Sequence, residues 1–316
     1  MYTSEQEIED FLKEYGRSKV VIITTVRATL NRAVDFEHKF NKPFYQFTTD
    51  EALEMYKSIH TISVVSLQNS NLVLKHAARW FEHQYNKEVN DTYETMTKEQ
   101  LSTVVDTEKQ RSMILSREDI DDIQSNLLNA TDRAIVEMLF QGVGGESLRE
   151  LTFMDASNVD LTNHALYFRI GKVIPVTDEI CDLLIEAFAE DELASFGSTS
   201  RVSKVIGNGL YKLRCNVLSE NSDPDNKSDV ERRYRWTQRR LMLMSNDLGV
   251  NLTPGGISTS GLLWHIQQKI DELGCDFKEF VKTNTAKQLA QRYGIRSEFY
   301  AQILCEKFDY ILSKRK

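Results

Sequence analysis

The densest chemistry in the sequence is cationic. Arg232, Arg233, Arg235, Arg239 and Arg240 crowd one short segment, with Tyr234 and Trp236 interleaved. A guanidinium is a planar fork of donors that can straddle a phosphate or pair with a guanine edge. Leu241 and Met244 follow at a spacing that can face a core at the same time. Residues 229–245 therefore read as a basic helix with one apolar side, and Arg201, Lys204, Lys212 and Arg214 extend its surface. Double-stranded DNA is the ligand that such a surface fits, although a solvated helix face uses the same residue types.

Other chemistries lack their residues. Cys181, Cys215, Cys275 and Cys305 are far apart and form no C-x-x-C pair, so zinc and disulfides are not expected and the thiols read as reduced. The sequence holds no Walker motif, HExxH, GxSxG or EF-hand loop, and no cofactor or metal is expected. A net charge of −8 argues against a protein that coats nucleic acid nonspecifically, yet it leaves room for a local basic face. No apolar run is long enough to span a bilayer and the N-terminus has no signal-peptide core, so no membrane partner and a cytoplasmic location, at the nucleoid of a bacterial host, are expected.

These residues need elements to position them. With 316 residues, 41% hydrophobic and 27% charged, the chain can build two soluble domains. Residues 5–15, 20–40 and 63–85 read as helices of an N-terminal domain, 1–88, with a strand at 20–23 as the alternative, and Thr48 to Glu51 forms a capped helix start that leads into Leu53 and Tyr56. Residues 89–110 are polar and read as a linker with a short helix near 98–105. Residues 111–316 form the second domain. There Leu115-Ser116-Arg117-Glu118-Asp119 starts a helix, and Thr131 and Asp132 sit where they can cap the next. Strands are predicted around 159–161, 166–170 and 173–176, then a helix from Thr177, a surface loop at 219–228, and a C-terminal helix from Glu298.

One stretch is more specific. Gly142-Val143-Gly144-Gly145-Glu146-Ser147-Leu148, then Leu151, Phe153, Asp155 and Val159-Asp160, resembles the first motif of tyrosine recombinases, the phage integrases. That motif reads Gly-Leu-Arg-x-Ser-Glu-Leu, then Leu, Trp, Asp and Ile-Asp. Val173-Ile174-Pro175-Val176 resembles the end of the family's hairpin, which carries a catalytic lysine. Lys172 is the candidate there, beside the plainer reading of an exposed turn lysine. Leu252-Thr253-Pro254-Gly255-Gly256-Ile257-Ser258-Thr259 resembles the box Thr-Pro-His-x-Leu-Arg-His. Tyr300 is the match to the nucleophilic tyrosine, with Tyr293 and Tyr310 as rivals.

The resemblance spans residues 4–300 and implies a fold that is mainly α with a small β-sheet. Its two-domain, tyrosine-recombinase-like architecture joins a helical core-binding domain to an α+β catalytic-like domain. It also implies a DNA-clamping helix surface in the first domain, matched by Arg17, Lys19, Thr24, Arg27, Arg32, Ser66, Lys75 and Arg79. The catalytic positions, however, are vacant: Gly144 and Ser258 stand where the arginines belong, and Gly255 and Thr259 where the histidines belong. Charge developing on a phosphoryl oxygen needs such donors, each worth about a hundred- to a thousandfold in rate. The expectation is a DNA-binding protein without cleavage, most similar to the integrase-like master repressors of SPbeta-like prophages, bound to operator DNA and open to an antirepressor or another regulatory protein. A divergent active recombinase and an accessory interaction subunit are the alternatives. Oligomeric state is not readable.

Overall fold

Capping residues and apolar runs alternate along the chain, and the helices start where the caps stand. The computed structural model describes residues 2–18, 23–61, 64–106, 113–196, 198–214 and 223–312. The molecule is mainly helical, with two small antiparallel sheets among the described residues, and divides into two compact units, Met1–Ser112 and Met113–Lys316.

The first unit holds α1 (Glu5–Ser18), α2 (Ile23–Phe40), α3 (Thr49–Lys57), α4 (Val64–Tyr85), α5 (Thr92–Thr95) and α6 (Lys98–Ser102). Thr48 caps α3 through a capping box with Glu51, as its sequence predicts. Phe11, Leu30, Phe44, Phe47, Tyr56, Leu67 and Phe81 make the core. The expected linker is a correction. Tyr93 and Leu101 are buried in the same core, and the Tyr93 hydroxyl donates to Phe44 O at 3.0 Å. Polar composition hid this, because two apolar anchors are enough to fasten a polar segment.

The second unit is built around α8 (Ala130–Phe140), which is buried at every position but Arg133. It follows α7 (Arg117–Ser125), whose capping box joins Ser116 and Asp119. Thr131 and Asp132 do not cap α8. The Glu190 carboxylate takes the N–H groups of Ala130 and Thr131 at 3.0 and 2.9 Å. After the short α9 (Arg149–Thr152), strands β1 (Val159–Asp160), β2 (Ala165–Tyr167) and β3 (Val173–Pro175) pair in sequence order. The expected strand to residue 170 stops at Tyr167, because Arg169–Gly171 turns in a 3₁₀ step.

Helix α10 (Asp178–Ala189) packs on α8 and leads to a second sheet, β4 (Glu192–Ser195), β5 (Ser198–Ile206) and β6 (Leu213–Arg214). The sequence reading missed this sheet, although Val202, Val205 and Ile206 were its β-branched signal. Then come α11 (Lys227–Leu248), α12 (Pro254–Leu273), α13 (Phe277–Phe280), α14 (Asn284–Arg292) and α15 (Tyr300–Leu312). The last four share a core of Leu262, Ile266, Phe280, Leu304 and Phe308. Part of the predicted loop at 219–228, and the chain beyond residue 312, lie outside the described residues. Among the described residues no helix is long and apolar enough to cross a membrane.

Candidate functional site

The end of α8 gathers the residues that stand nearest to the expected catalytic chemistry. The last carbonyls of a helix have no partner within it. Here three side chains from distant parts of the chain take three successive carbonyls, that of the last helical residue, that of the C-cap and that of the turn residue after it. Tyr293 Oη donates to Phe140 O at 2.5 Å, Arg292 Nε to Gln141 O at 2.7 Å, and Lys172 Nζ to Gly142 O at 2.9 Å. Two of the three are cations at the negative end of a helix dipole, where they are favoured.

His265, on α12, completes the cluster. Its Nδ1 lies 2.8 Å from Gly261 O and 2.9 Å from Tyr293 Oη. Burial, with the nearby Arg292 charge, pushes its pKa down to about 4, so the imidazole is neutral at pH 7. The network then assigns the proton to Nδ1, donated toward Gly261 O, while the phenol proton goes to Phe140 O. Burial also raises the Tyr293 pKa, against the pull of Arg292. A phenol whose proton is spent on a peptide carbonyl and whose ionisation is disfavoured is a poor nucleophile. Tyr293 is therefore a clamp on α8, and the side chain of its rival Tyr310 lies outside the described residues.

Lys172 is not an exposed turn lysine. Besides Gly142 O it reaches Glu150 Oε2 at 2.6 Å, and the same oxygen accepts the Gly144 N–H at 3.1 Å. Burial holds the Lys172 ammonium below the usual lysine range, with Glu150 opposing the shift. Gly144 and Gly255 have open space around them: a Cβ at Gly144 would meet only Leu148, at 3.9 Å, and one at Gly255 would meet nothing within 4 Å. Ser258 and Thr259 lie half-buried on α12. Tyr300 is half-buried against the second core, and no hydrogen bond or ion pair links it to Lys172, Arg292 or His265 among the described residues. Glu150, His265 and Arg292 were not foreseen. No short spacing joins positions 150, 265 and 292, so only folding brings them to one helix end.

The basic helix is divided. Val230, Arg233, Thr237, Leu241 and Met244 of α11 are buried, while Arg235 and Arg239 are exposed and Arg232 is half-buried. Arg233 lies between two rings, 4.2 Å from the Phe153 centroid and 4.3 Å from that of Tyr211, and donates to Thr152 O at 2.7 Å. Arg240 pairs with the fully buried Asp132 and covers the Phe196 ring. Lys212 is also buried and donates to Phe188 O and Gly207 O, both at 3.0 Å. Arg233, Arg240 and Lys212 thus serve the fold, and their expected place on a DNA-facing surface is corrected. Arg232 pairs with Asp229 and Arg235 with Glu231, whereas Arg239 has no ion-pair partner among the described residues. Arg201 and Lys204 are exposed on β5. Of the Arg214 side chain nothing is described.

In the first unit several expected contacts are already neutralised. Arg27 pairs with Glu9, and Lys75 and Arg79 share Glu94. Arg32 is half-buried and Ser66 exposed on the described surface. Lys19, and the side chains of Arg17 and Thr24, lie outside the described residues.

Known proteins resemble this chain in sequence. Residues 114–311, more than half of the chain, match the family described as "MrpR, C-terminal catalytic domain", and the chain belongs to that family. It is similar to the SPbeta prophage-derived uncharacterized protein YopR of Bacillus subtilis (strain 168), with 21% identity over 304 residues, 92% of this chain and 89% of YopR. Among solved structures, the Tn1549 transposon integrase in complex with a circular intermediate DNA gives a TM-score of 0.46 at 15% identity, over 96% of this chain and 94% of that one. The XerA recombinase gives 0.36 at 14%, over 98% of each chain. The chain divides into a helical unit and a unit of helices with two small sheets among the described residues.

Proposed function

We propose that this chain is a sequence-specific DNA-binding repressor on an integrase-like scaffold, one that holds prophage genes silent and does not cut DNA. The division of α11 carries this reading. Its inner side is committed to packing, and its outer side presents Arg232, Arg235 and Arg239 at helical spacing. The motif positions Gly144, Gly255, Ser258 and Thr259 cannot donate to a phosphoryl oxygen as guanidinium or imidazole groups do. Similarity to a prophage-derived protein supports a phage setting, and the integrase solved with DNA suggests the ligand. Operator DNA recovered by genome-wide mapping of bound sites is the test ligand. Changing Arg232, Arg235 and Arg239 to Ala should weaken binding and lower the slope of log affinity against log salt by about 0.9 for each phosphate that is no longer neutralised. Unchanged affinity and slope, with the helical circular dichroism intact, would reject the assignment.

One observation favours a second reading, an active recombinase: a guanidinium, an imidazole and an ammonium converge on one helix end beside a tyrosine hydroxyl. The hydrogen bonds of that cluster run to peptide carbonyls, which supports a bracing role instead. A nicked suicide duplex decides between the two. No covalent protein–DNA adduct is expected. An adduct that disappears in Tyr293→Phe or in Tyr300→Phe would establish cleavage.

A further inference from the structure

Three cations expected on the DNA surface, Lys212, Arg239 and Arg240, line one cavity. A cavity of about 450 Å³ opens between the β4–β5–β6 sheet and α11. Leu193, Val205, Trp236 and Leu243 give it apolar walls, while Lys212, Arg239 and Arg240 give it charge. The Arg240 charge is matched by Asp132. Lys212 is buried and hydrogen-bonded only to carbonyls, with Glu190 and Asp191 acting on its charge from nearby, and no carboxylate pairs with Arg239 among the described residues. An exposed cation without an ion-pair partner at the rim of an apolar cavity raises the local affinity for anions. A duplex phosphate would meet the charges but leave the apolar walls unused. A pocket of this size, largely apolar with a few convergent polar groups, suits a small organic ligand.

We infer that the cavity between the β4–β5–β6 sheet and α11 is a binding site for a small organic monoanion, a carboxylate on an apolar body, with Arg239 meeting the carboxylate and Trp236 and Leu243 lining the body. The site shares Arg239 with the proposed DNA face but does not depend on that reading, because octanoate binding is read without DNA. The full chain is titrated with octanoate, with octan-1-ol as the uncharged control, and the three tryptophan indole N–H resonances are followed by NMR. Saturable binding that moves the Trp236 resonance is expected, with octan-1-ol weaker. Arg239 is exposed, so Arg239→Gln should fold normally, and it should weaken octanoate about tenfold, as loss of a charge-assisted hydrogen bond does. Absence of saturable binding, equal binding of octan-1-ol, an unchanged affinity in Arg239→Gln, or movement of Trp264 or Trp80 in place of Trp236 would overturn the inference.

Discussion

Lys172 Nζ sits 2.6 Å from Glu150 Oε2, so the lysine of the first hairpin is neutralised within the protein itself. Glu150 also fixes the Gly144 N–H, and one carboxylate therefore ties the turn after α8 to the sheet. Glu150→Ala should destabilise the fold by about 1–2 kcal/mol, the scale for a half-buried ion pair, because a partly desolvated ammonium and an amide lose their acceptor. Urea unfolding checks this. The double variant Glu150→Ala with Lys172→Met should recover part of the loss, since the stranded charge is gone.

His265 makes stability depend on pH. Its folded pKa, about 4, lies below its ordinary 6.5. Between these values the unfolded chain binds a proton that the folded chain refuses, so unfolding is favoured as pH falls. The contribution is complete above about pH 6.5 and is lost as pH drops toward about 4, a difference of about 2–4 kcal/mol. His265→Asn keeps a donor near Gly261 O and cannot titrate. Its unfolding free energy should fall less than the parent's between about pH 7 and about pH 4.5. Equal slopes in the two proteins would place the acid sensitivity elsewhere.

Two glycines on α12 should respond in opposite ways. A Cβ at Gly261 would lie 1.8 Å from Phe140 O, a backbone atom of the crossing helix α8, and 2.8 Å from the Tyr293 hydroxyl. Gly261→Ala must push the helices apart, and a loss of about 3 kcal/mol or more is expected. Around Gly255 there is nothing within 4 Å. Gly255→Ala, in the first turn of α12, should be neutral or stabilising by up to about 1 kcal/mol. Thermal unfolding of the pair separates them.

How much of this was readable beforehand follows from the range of each interaction. Local signals were legible: the Thr48–Glu51 and Ser116–Asp119 capping boxes lie within one turn, and the helices start there. The recombinase-like boxes were read from short motifs alone. The clamp on α8 was not legible, because Lys172, His265 and Arg292 meet only through tertiary contacts. Basic residues were legible as charges but not as orientations. Arg233 and Arg235 stand two positions apart, yet one is stacked between rings and the other exposed, a distinction set by Phe153 and Tyr211 from other elements. The 89–106 segment was misread for a related reason: Tyr93 and Leu101 are too sparse to give a periodic pattern, yet both reach the core.

That orientation yields the last prediction. Arg233 is stacked on Phe153 and Tyr211 and hydrogen-bonded to Thr152 O, and Asp229 accepts from its Nε at 3.3 Å. Burial alone would raise the Asp229 pKa, but the Arg232 hydrogen bond and the Arg233 charge hold it below the ordinary carboxylate value. Arg233→Ala removes two ring contacts and leaves the buried Asp229 with only Arg232 and the Asp223 N–H, so a loss of about 2–4 kcal/mol is expected. Arg235→Ala breaks only an exposed pair with Glu231 and should change stability by less than about 0.5 kcal/mol. DNA affinity should show the reverse order once each variant is folded at low temperature: Arg235→Ala weakens binding and lowers the salt slope, and folded Arg233→Ala keeps both. Chemical unfolding and binding titrations over a salt series, run on the same two variants, give the four numbers. A stable Arg233→Ala would refute the packing role, and a salt slope unchanged in Arg235→Ala would remove that residue from the DNA face.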